Sequence, residues 1–246
     1  MLGSPQPQHE ESAALQQLRQ QYSEIAQLAG ALAHEIKNPL SVIRMNMDLL
    51  AEDFGEAQDQ RDRRALAKVE VVQQQCQRLQ NLLNDFLRFA RTQNLQLTPG
   101  NLNEVMGRIL SFVAPQAEKQ AVEIVNYLSS DLPSILLDDE TLHAALLNLT
   151  LNAIQAMPAG GTFTVRSRDS RFGVALDLID TGCGMNDETA RHMFEPFYTT
   201  KDGGSGLGLP LAQKIIAAHG GRIDVQTESG RGTKFTLEFP VPKRIG

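Results

Sequence analysis

Along the first third of the chain the apolar positions fall in alternating steps of three and four. Leu15, Leu18, Tyr22, Ile25, Ala29, Leu32 and Ile36 follow this rule, which predicts a helix with an a/d heptad seam. The seam breaks near Asp53-Phe54-Gly55, where a glycine can close a helix. A second seam follows through Leu66, Val69, Val72, Cys76, Leu79, Leu83, Phe86 and Ala90. Residues 12–92 hold one proline and two glycines, so little interrupts either stretch. The pattern predicts two long antiparallel helices joined by a polar turn. One hairpin leaves its seam facing water, so two chains are expected to pair as a four-helix bundle. A single hairpin packed on the rest of the chain is the other arrangement that covers the seam.

At Thr98-Pro99-Gly100-Asn101 the period changes. Helical stretches at about 102–119, 139–157, 187–193 and 207–219 alternate with β-rich segments. These segments are Val122–Tyr127, Thr162–Arg168, Val174–Ile179, Arg222–Thr227 and Lys234–Phe239. The last two flank the turn "ESGRGT" and read as a hairpin. Helices mixed with antiparallel strands predict an α+β sandwich with the helices on one face of the sheet. The expected fold is therefore multidomain, α and α+β: a helical hairpin in a dimeric four-helix bundle, then an α/β sandwich. The expected boundaries are 1–19 for an N-terminal tail and coiled-coil lead-in, 20–93 for the hairpin, 94–101 for a linker and 102–246 for the sandwich.

Composition narrows the setting. A chain of 246 residues, 41% hydrophobic and 21% charged, is ordinary for one or two water-soluble domains. No apolar run approaches the roughly 18 residues of a membrane span, so no membrane contact is expected. The opening MLGSPQPQHEES is polar and unlike a signal peptide. Cys76 and Cys183 give neither a disulfide framework nor a zinc pattern and suit a reducing cytoplasm. A net charge of -6 argues against general nucleic-acid binding.

Against this background the segment "ALAHEIKNPL" concentrates polar chemistry on the first helix. The heptad places His34 at f, furthest from the seam. Glu35 adjoins it, and Asn38 lies four residues from His34 and three from Glu35, on the same helix surface. A neutral imidazole is a competent nucleophile, and a neighbouring carboxylate can take the ring proton as a bond forms. Pro39 removes a helical hydrogen bond and is expected to loosen the helix just past the histidine.

Four segments of the second half point to a nucleotide. "LLNLTLNAIQAM" puts Asn148 and Asn152 one turn apart on an otherwise apolar helix, where amides cost free energy unless they bond something. An amide oxygen is a suitable ligand for Mg²⁺. "DLIDTGCGM" ends a strand at Asp180, which can accept from a base amine, while Gly182 and Gly184 let a ring approach the backbone. "FEPFYTTKDGGSGLGLPLAQKII" is a glycine-rich loop opening a helix, an anion cradle built from Gly203, Gly204, Gly206 and Gly208. "SGRGT" completes the set. Neither a Walker loop nor a Rossmann fingerprint is present. Taken singly, Asn152 could cap a helix, Gly182 form a turn and the glycine loop serve as a linker. The four together, in order, read as one site.

These motifs resemble the catalytic core of the bacterial two-component sensor histidine kinases over about residues 20–240. "HEIKNP" is similar to the H box, "NLTLNA" to the N box, "DTGCGM" to the G1 box, "FEPFYTTK" to the F box and "GSGLGL" to the G2 box. The wording of the last two resembles the branch whose partners are often activators of the nitrogen-regulator type. The resemblance implies the fold of the gyrase, Hsp90 and MutL ATPases, with ATP and Mg²⁺ as cofactors. It implies a homodimer with a response-regulator receiver domain as partner.

Carried over by position, the resemblance makes His34 the phosphoacceptor and Glu35 its general base. Asn152 would hold the metal with Asn148 beside it. Asp180 would receive the adenine amine, and Gly182, Gly184 and Met185 would line the base pocket. Phe194 to Gly204 would form a mobile lid with Lys201 reaching towards phosphate. Gly204, Gly206, Leu207 and Gly208 would wrap the triphosphate, and Thr233 would lie near the base. The E-x-x-N pattern from Glu35 to Asn38 is associated with phosphatase activity on the regulator. Thr150 and Cys183 depart from the usual pattern. An ATPase of the same fold without phosphotransfer and a regulator-binding scaffold are the alternative functions.

Overall fold

The computed structural model describes residues 36–54, 60–91, 95–201 and 204–242, which fall into two compact units divided between Gln93 and Asn94. The first unit contains a helix over residues 36–53 (α1) and α2 (Gln60–Arg91). They run antiparallel: Gln73 Nε2 donates to Asp48 Oδ1 at 2.7 Å, and Arg44 reaches Gln77 Oε1 at 3.5 Å. Helical structure continues through Pro39. Leu40, Val69 and Cys76 are buried between the helices, whereas Ile36, Val72 and Leu79 remain 46%, 38% and 50% exposed. Within one hairpin, therefore, only part of the apolar seam finds cover. The earlier seam positions, Leu15 to Leu32, lie outside the described residues.

The second unit is built on a five-stranded sheet in the order β2-β4-β5-β7-β6. Its strands are β2 (Val122–Tyr127), β4 (Gly161–Asp169), β5 (Gly173–Asp180), β6 (Arg222–Glu228) and β7 (Gly232–Pro240). A short ribbon pairs β1 (Thr98–Gly100) with β3 (Ile135–Leu137). The helices are α3 (Leu102–Lys119), α4 (Asp139–Gln155), α5 (Asp187–His192) and α6 (Gly208–Ala218). Leu102, Met106 and Ile109 of α3 and Leu142, Leu146 and Leu149 of α4 are sealed from solvent, as are Phe163, Leu176 and Phe239 of the sheet. Residues two apart on a strand share a face, so alternate positions of β4, β5 and β7 supply the core beneath the helices.

Two features differ from the sequence reading. The sheet is mixed, because β2 and β4 pair parallel from Val122↔Gly161 to Tyr127↔Arg166. Parallel neighbours need a crossover, and α4 lies between them in the chain to supply it. Thr98–Gly100, expected as linker, is a strand of the second unit. Gly100 is needed there because a Cβ would come within 2.9 Å of the Leu137 side chain. Three residues a side are too few to leave a periodic signal.

Strand β5 is central and buried on both faces. Leu176 and Leu178 face the core, while Asp177 points to the opposite face yet has no exposed surface. Arg166 donates to its carboxylate through Nε and Nη2 at 3.1 and 2.7 Å, Arg168 Nε at 3.2 Å, and Thr236 Oγ1 at 2.9 Å. Burial alone would push the Asp177 carboxyl up; these donors outweigh it and hold the pKa below the usual range. The cluster bolts three adjacent strands together and fixes the register that carries β5 to its end at Asp180.

Candidate functional site

Asp180 closes β5 on the helix-facing side and is buried. Its Oδ1 accepts from the backbone N–H of Gly182 at 2.9 Å and of Thr233 at 3.2 Å. Both bonds end on one oxygen, and Oδ2 accepts none from the described residues. Burial pushes this carboxyl above the usual range, against the two N–H donors that favour its ionised form. Thr233 is directly opposite Asp180 in the β5–β7 register. Its hydroxyl lies 3.1 Å from that of Thr227, which accepts from Met185 N at 2.9 Å. Asp180, Gly182, Met185 and Thr233 therefore form one connected pocket wall. The sequence motifs did not single out Thr227; its position across the hairpin from Thr233 was the available signal.

The loop after Asp180 folds onto the end of α4. Cys183 N donates to Ala156 O at 3.0 Å, and Gly182 passes so close that a Cβ would lie 2.5 Å from that carbonyl oxygen. Gly184 has φ +60°, a left-handed backbone that a side chain would strain. This packing brings the pocket wall beside Asn152 and Gln155. Asn148, one turn earlier, lies next to Gly208: a Cβ on Gly208 would be 3.9 Å from Asn148 Oδ1. Thr150, on the opposite side of α4, is buried and settles its hydroxyl on Leu146 O at 2.8 Å.

Gly208 is the first residue of α6. The preceding Leu207 gives no side-chain cap and the first turn has no acidic residue, so its orphan N–H groups and the positive end of the helix dipole are available to an anion. Upstream, Gly206 has φ +67°, and its carbonyl accepts from Phe197 N at 3.0 Å. Phe197 itself has φ +69°, a rare state for a bulky residue, and is 64% exposed. The F-box segment is thereby held against the glycine loop. Phe194 is half-buried just after α5.

Lys201 reaches α4. Its Nζ donates to Asn152 Oδ1 at 2.6 Å and to Gln155 Oε1 at 2.7 Å. The residue is exposed as a whole, but its ammonium end is drawn into the cleft, and that desolvation lowers its pKa while nearby Cys183 acts in the opposite sense. Gln155 is a second residue the motifs did not mark, although a spacing of three from Asn152 puts it on the same helix face.

These residues are suited to a magnesium nucleotide. Two amide oxygens already carry a cation, an uncapped helix start faces Asn148, and a buried carboxylate keeps an oxygen for an amine. Of the residues expected on the first helix, Asn38 is exposed on α1, while His34 and Glu35 lie outside the described residues. Cys76 is buried and Cys183 exposed, both as free thiols. None of the described helices is long and apolar enough to cross a membrane.

Comparison with known proteins gives a consistent assignment. Residues 24–95 match the His Kinase A (phospho-acceptor) domain, and residues 137–243 match the histidine kinase-, DNA gyrase B-, and HSP90-like ATPase. The chain is 34% identical over 220 residues to the sensor histidine kinase ZraS of Escherichia coli strain K12, covering 88% of this chain and 46% of that protein. It thus spans just under half the length of this relative. Crystalline full-length ShkA in complex with AMPPNP superposes with a TM-score of 0.69 at 31% identity, over 87% of this chain and 45% of that one. Histidine kinase ThkA in complex with response regulator protein TrrA superposes with a TM-score of 0.66 over 98% of this chain and 70% of that one; at 22% identity this likeness concerns the fold. The chain belongs to the sensor histidine kinases, as their catalytic core of a phosphoacceptor helical domain followed by an ATPase-fold domain.

Proposed function

We propose that the chain is an ATP-dependent protein-histidine kinase that passes the γ-phosphate of ATP to His34 and then to an aspartate of a response-regulator receiver domain. The observation that carries this reading is that α4 is met at its end by the loop after Asp180, at Asn152 by Lys201 and at Asn148 by the uncapped start of α6. Asp180 receives the adenine amine through the oxygen its backbone donors leave open, with Gly182, Gly184, Met185 and Thr233 around the base. Gly204, Gly206, Leu207 and Gly208 wrap the phosphates, the N–H groups of Gly204 and Leu207 being held by Lys201 O and Ser205 Oγ, with Phe194 and Lys201 on the covering segment. Asn152 would hold Mg²⁺ beside Asn148, and the ion would supply neutralisation of phosphate charge.

The His34 imidazole nitrogen forms a bond to the γ-phosphorus as the bond to the ADP oxygen breaks, and Glu35 takes the ring proton. Most of the rate enhancement comes from positioning and from stabilising charge. In a second activity Asn38 orients a water against the regulator's phosphoaspartate. The exposed seam residues Val72 and Leu79 support a homodimer in which two hairpins share one core. The printed title of the ThkA complex supports a receiver domain as partner. Two free thiols and the need for ATP fit a cytoplasmic setting.

The test is incubation with Mg²⁺ and γ-labelled ATP beside the His34→Ala variant. Label that is stable in base, labile in acid and absent from the variant is expected. ATP consumption without retained label would favour an ATPase, and neither consumption nor label a scaffold. Asn38→Ala should leave autophosphorylation within about twofold while dephosphorylation of the regulator falls at least tenfold, on the general scale of acid–base and positioning effects; equal losses would remove the division of labour.

A further inference from the structure

Helix α4 offers two amide oxygens to Lys201. Asn152 Oδ1 and Gln155 Oε1 lie 2.6 and 2.7 Å from its Nζ, and no carboxylate pairs with this ammonium among the described residues. Two neutral oxygens converging on one positive charge make a cation seat, and its occupant here comes from the chain itself. The same Asn152 oxygen is the one assigned to Mg²⁺. A magnesium ion bonds oxygen at about 2.1 Å. An ammonium held at 2.6 Å from that atom and a divalent ion on it would repel strongly at such range. The two occupants exclude each other.

We propose that, in the nucleotide-free chain, Lys201 occupies the magnesium seat, anchored by Gln155, so that loading Mg²⁺-nucleotide exchanges one cation for another. The inference rests on the reading of this pocket as a magnesium-nucleotide site. It goes beyond that reading by giving Gln155 a role and by making Lys201 a competitor before it is a phosphate ligand. Lys201 N donates to Thr199 Oγ1 at 3.1 Å, and Lys201 O accepts from Gly204 N at 3.2 Å. The lysine that leaves the seat is thus hydrogen-bonded through its own backbone to the start of the glycine loop.

ADP is the probe, because it lacks the γ-phosphate and so removes any lysine contact with that group. Its affinity is measured by titration calorimetry with saturating Mg²⁺ and again in chelator, for the wild type, Lys201→Ala, Gln155→Leu and the double variant. Lys201→Ala should tighten Mg²⁺-ADP about fivefold, the scale of one exposed charge-assisted pair of hydrogen bonds removed from competition. The Mg²⁺ concentration giving half-maximal binding at fixed ADP should fall in parallel, and affinity in chelator should not rise. Gln155→Leu should give part of the same gain, and nothing further once Lys201 is alanine. Unchanged or weakened Mg²⁺-ADP binding in Lys201→Ala would overturn the proposal. So would an equal loss from Gln155→Leu in both backgrounds, which would make Gln155 a metal ligand and not the lysine's anchor. A wild type that binds no Mg²⁺-ADP would overturn the nucleotide reading itself, a result distinct from binding that ignores Lys201.

Discussion

Replacing Asp180 with asparagine changes one atom and tests the base pocket at its centre. The aspartate presents two acceptor oxygens; Oδ1 is engaged by Gly182 N and Thr233 N, at 2.9 and 3.2 Å. An asparagine has one acceptor, and the two backbone donors hold it, so the amide NH₂ turns towards the ligand. There it meets the adenine amine donor to donor. A charge-assisted hydrogen bond is worth roughly 1.5–3 kcal/mol, and leaving a buried donor without an acceptor adds about 1–3 kcal/mol. The expected loss is thus about 2.5–6 kcal/mol, or roughly two to four decades of ATP affinity at about 1.4 kcal/mol per decade. Guanine carries an acceptor where adenine carries its amine, so GTP should lose far less and the preference for ATP should collapse. Competition of ATP and GTP against a fluorescent adenine nucleotide gives both constants in one assay. Thermal melting serves as control: the backbone bonds survive, so the second unit should keep its transition within about 4 °C, equivalent to about 1 kcal/mol for a domain of this size. An ATP affinity within threefold of wild type, on a folded variant, would refute the assignment of Asp180 to the amine. The raised pKa of this carboxyl adds a pH signature. Binding needs the ionised form, so ATP affinity should begin to fall, on acidification, above the value near 4 of an ordinary aspartate. Folding runs the opposite way: a raised native pKa contributes stability below the unfolded value and loses it as pH rises through the native one.

Other substitutions separate stability from chemistry. Asp177→Asn should destabilise the second unit by about 1–2 kcal/mol at pH 7; the buried carboxylate loses its charge, but Arg166 and Arg168 are part-exposed and can turn to water, which tempers the larger cost of a broken buried pair. Because the native pKa is lowered, that contribution is complete above the unfolded value near 4 and disappears as pH falls through the native one, so wild type and variant melts should converge in acid. A constant gap across that window would count against the network. Gly206→Ala places a side chain at φ +67° against the Phe197 carbonyl carbon and should cost about 2 kcal/mol or more, with loss of nucleotide binding greater than loss of melting temperature; an unchanged titration would show that the Phe197–Gly206 contact does not shape the loop.

The sequence disclosed most of what long periodic segments can disclose. Helix α3 and strand β2 fall at their predicted residues, because each has enough turns or alternations to fix a period. Asp180, Gly182, Asn148 and Asn152 were visible as polar or glycine residues interrupting apolar runs. The β1–β3 ribbon was not visible, since three residues carry no period. The parallel pairing of β2 with β4 depends on where α4 crosses, a matter of topology with no local mark. Gln155 and Thr227 were hidden for a different reason. Each is an ordinary polar residue whose role arises from a neighbour distant in sequence, Lys201 and Met185 respectively. Asp177 was likewise one acid within a strand until three strands met around it.

The incomplete cover of the α1–α2 hairpin has a thermodynamic consequence. The second unit seals many of its apolar side chains within one chain, whereas the hairpin buries Leu40, Val69 and Cys76 and leaves Ile36, Val72 and Leu79 in water among its described residues. In the proposed homodimer a core completed by the second copy would draw its stability from mass action, and its melting point would rise with the logarithm of protein concentration. The nucleotide-binding unit has no such dependence. Heated at tenfold dilution, the chain should show one transition that slides to lower temperature and another that stays in place; the slope of the first against the logarithm of concentration reports the enthalpy of coupled unfolding and dissociation.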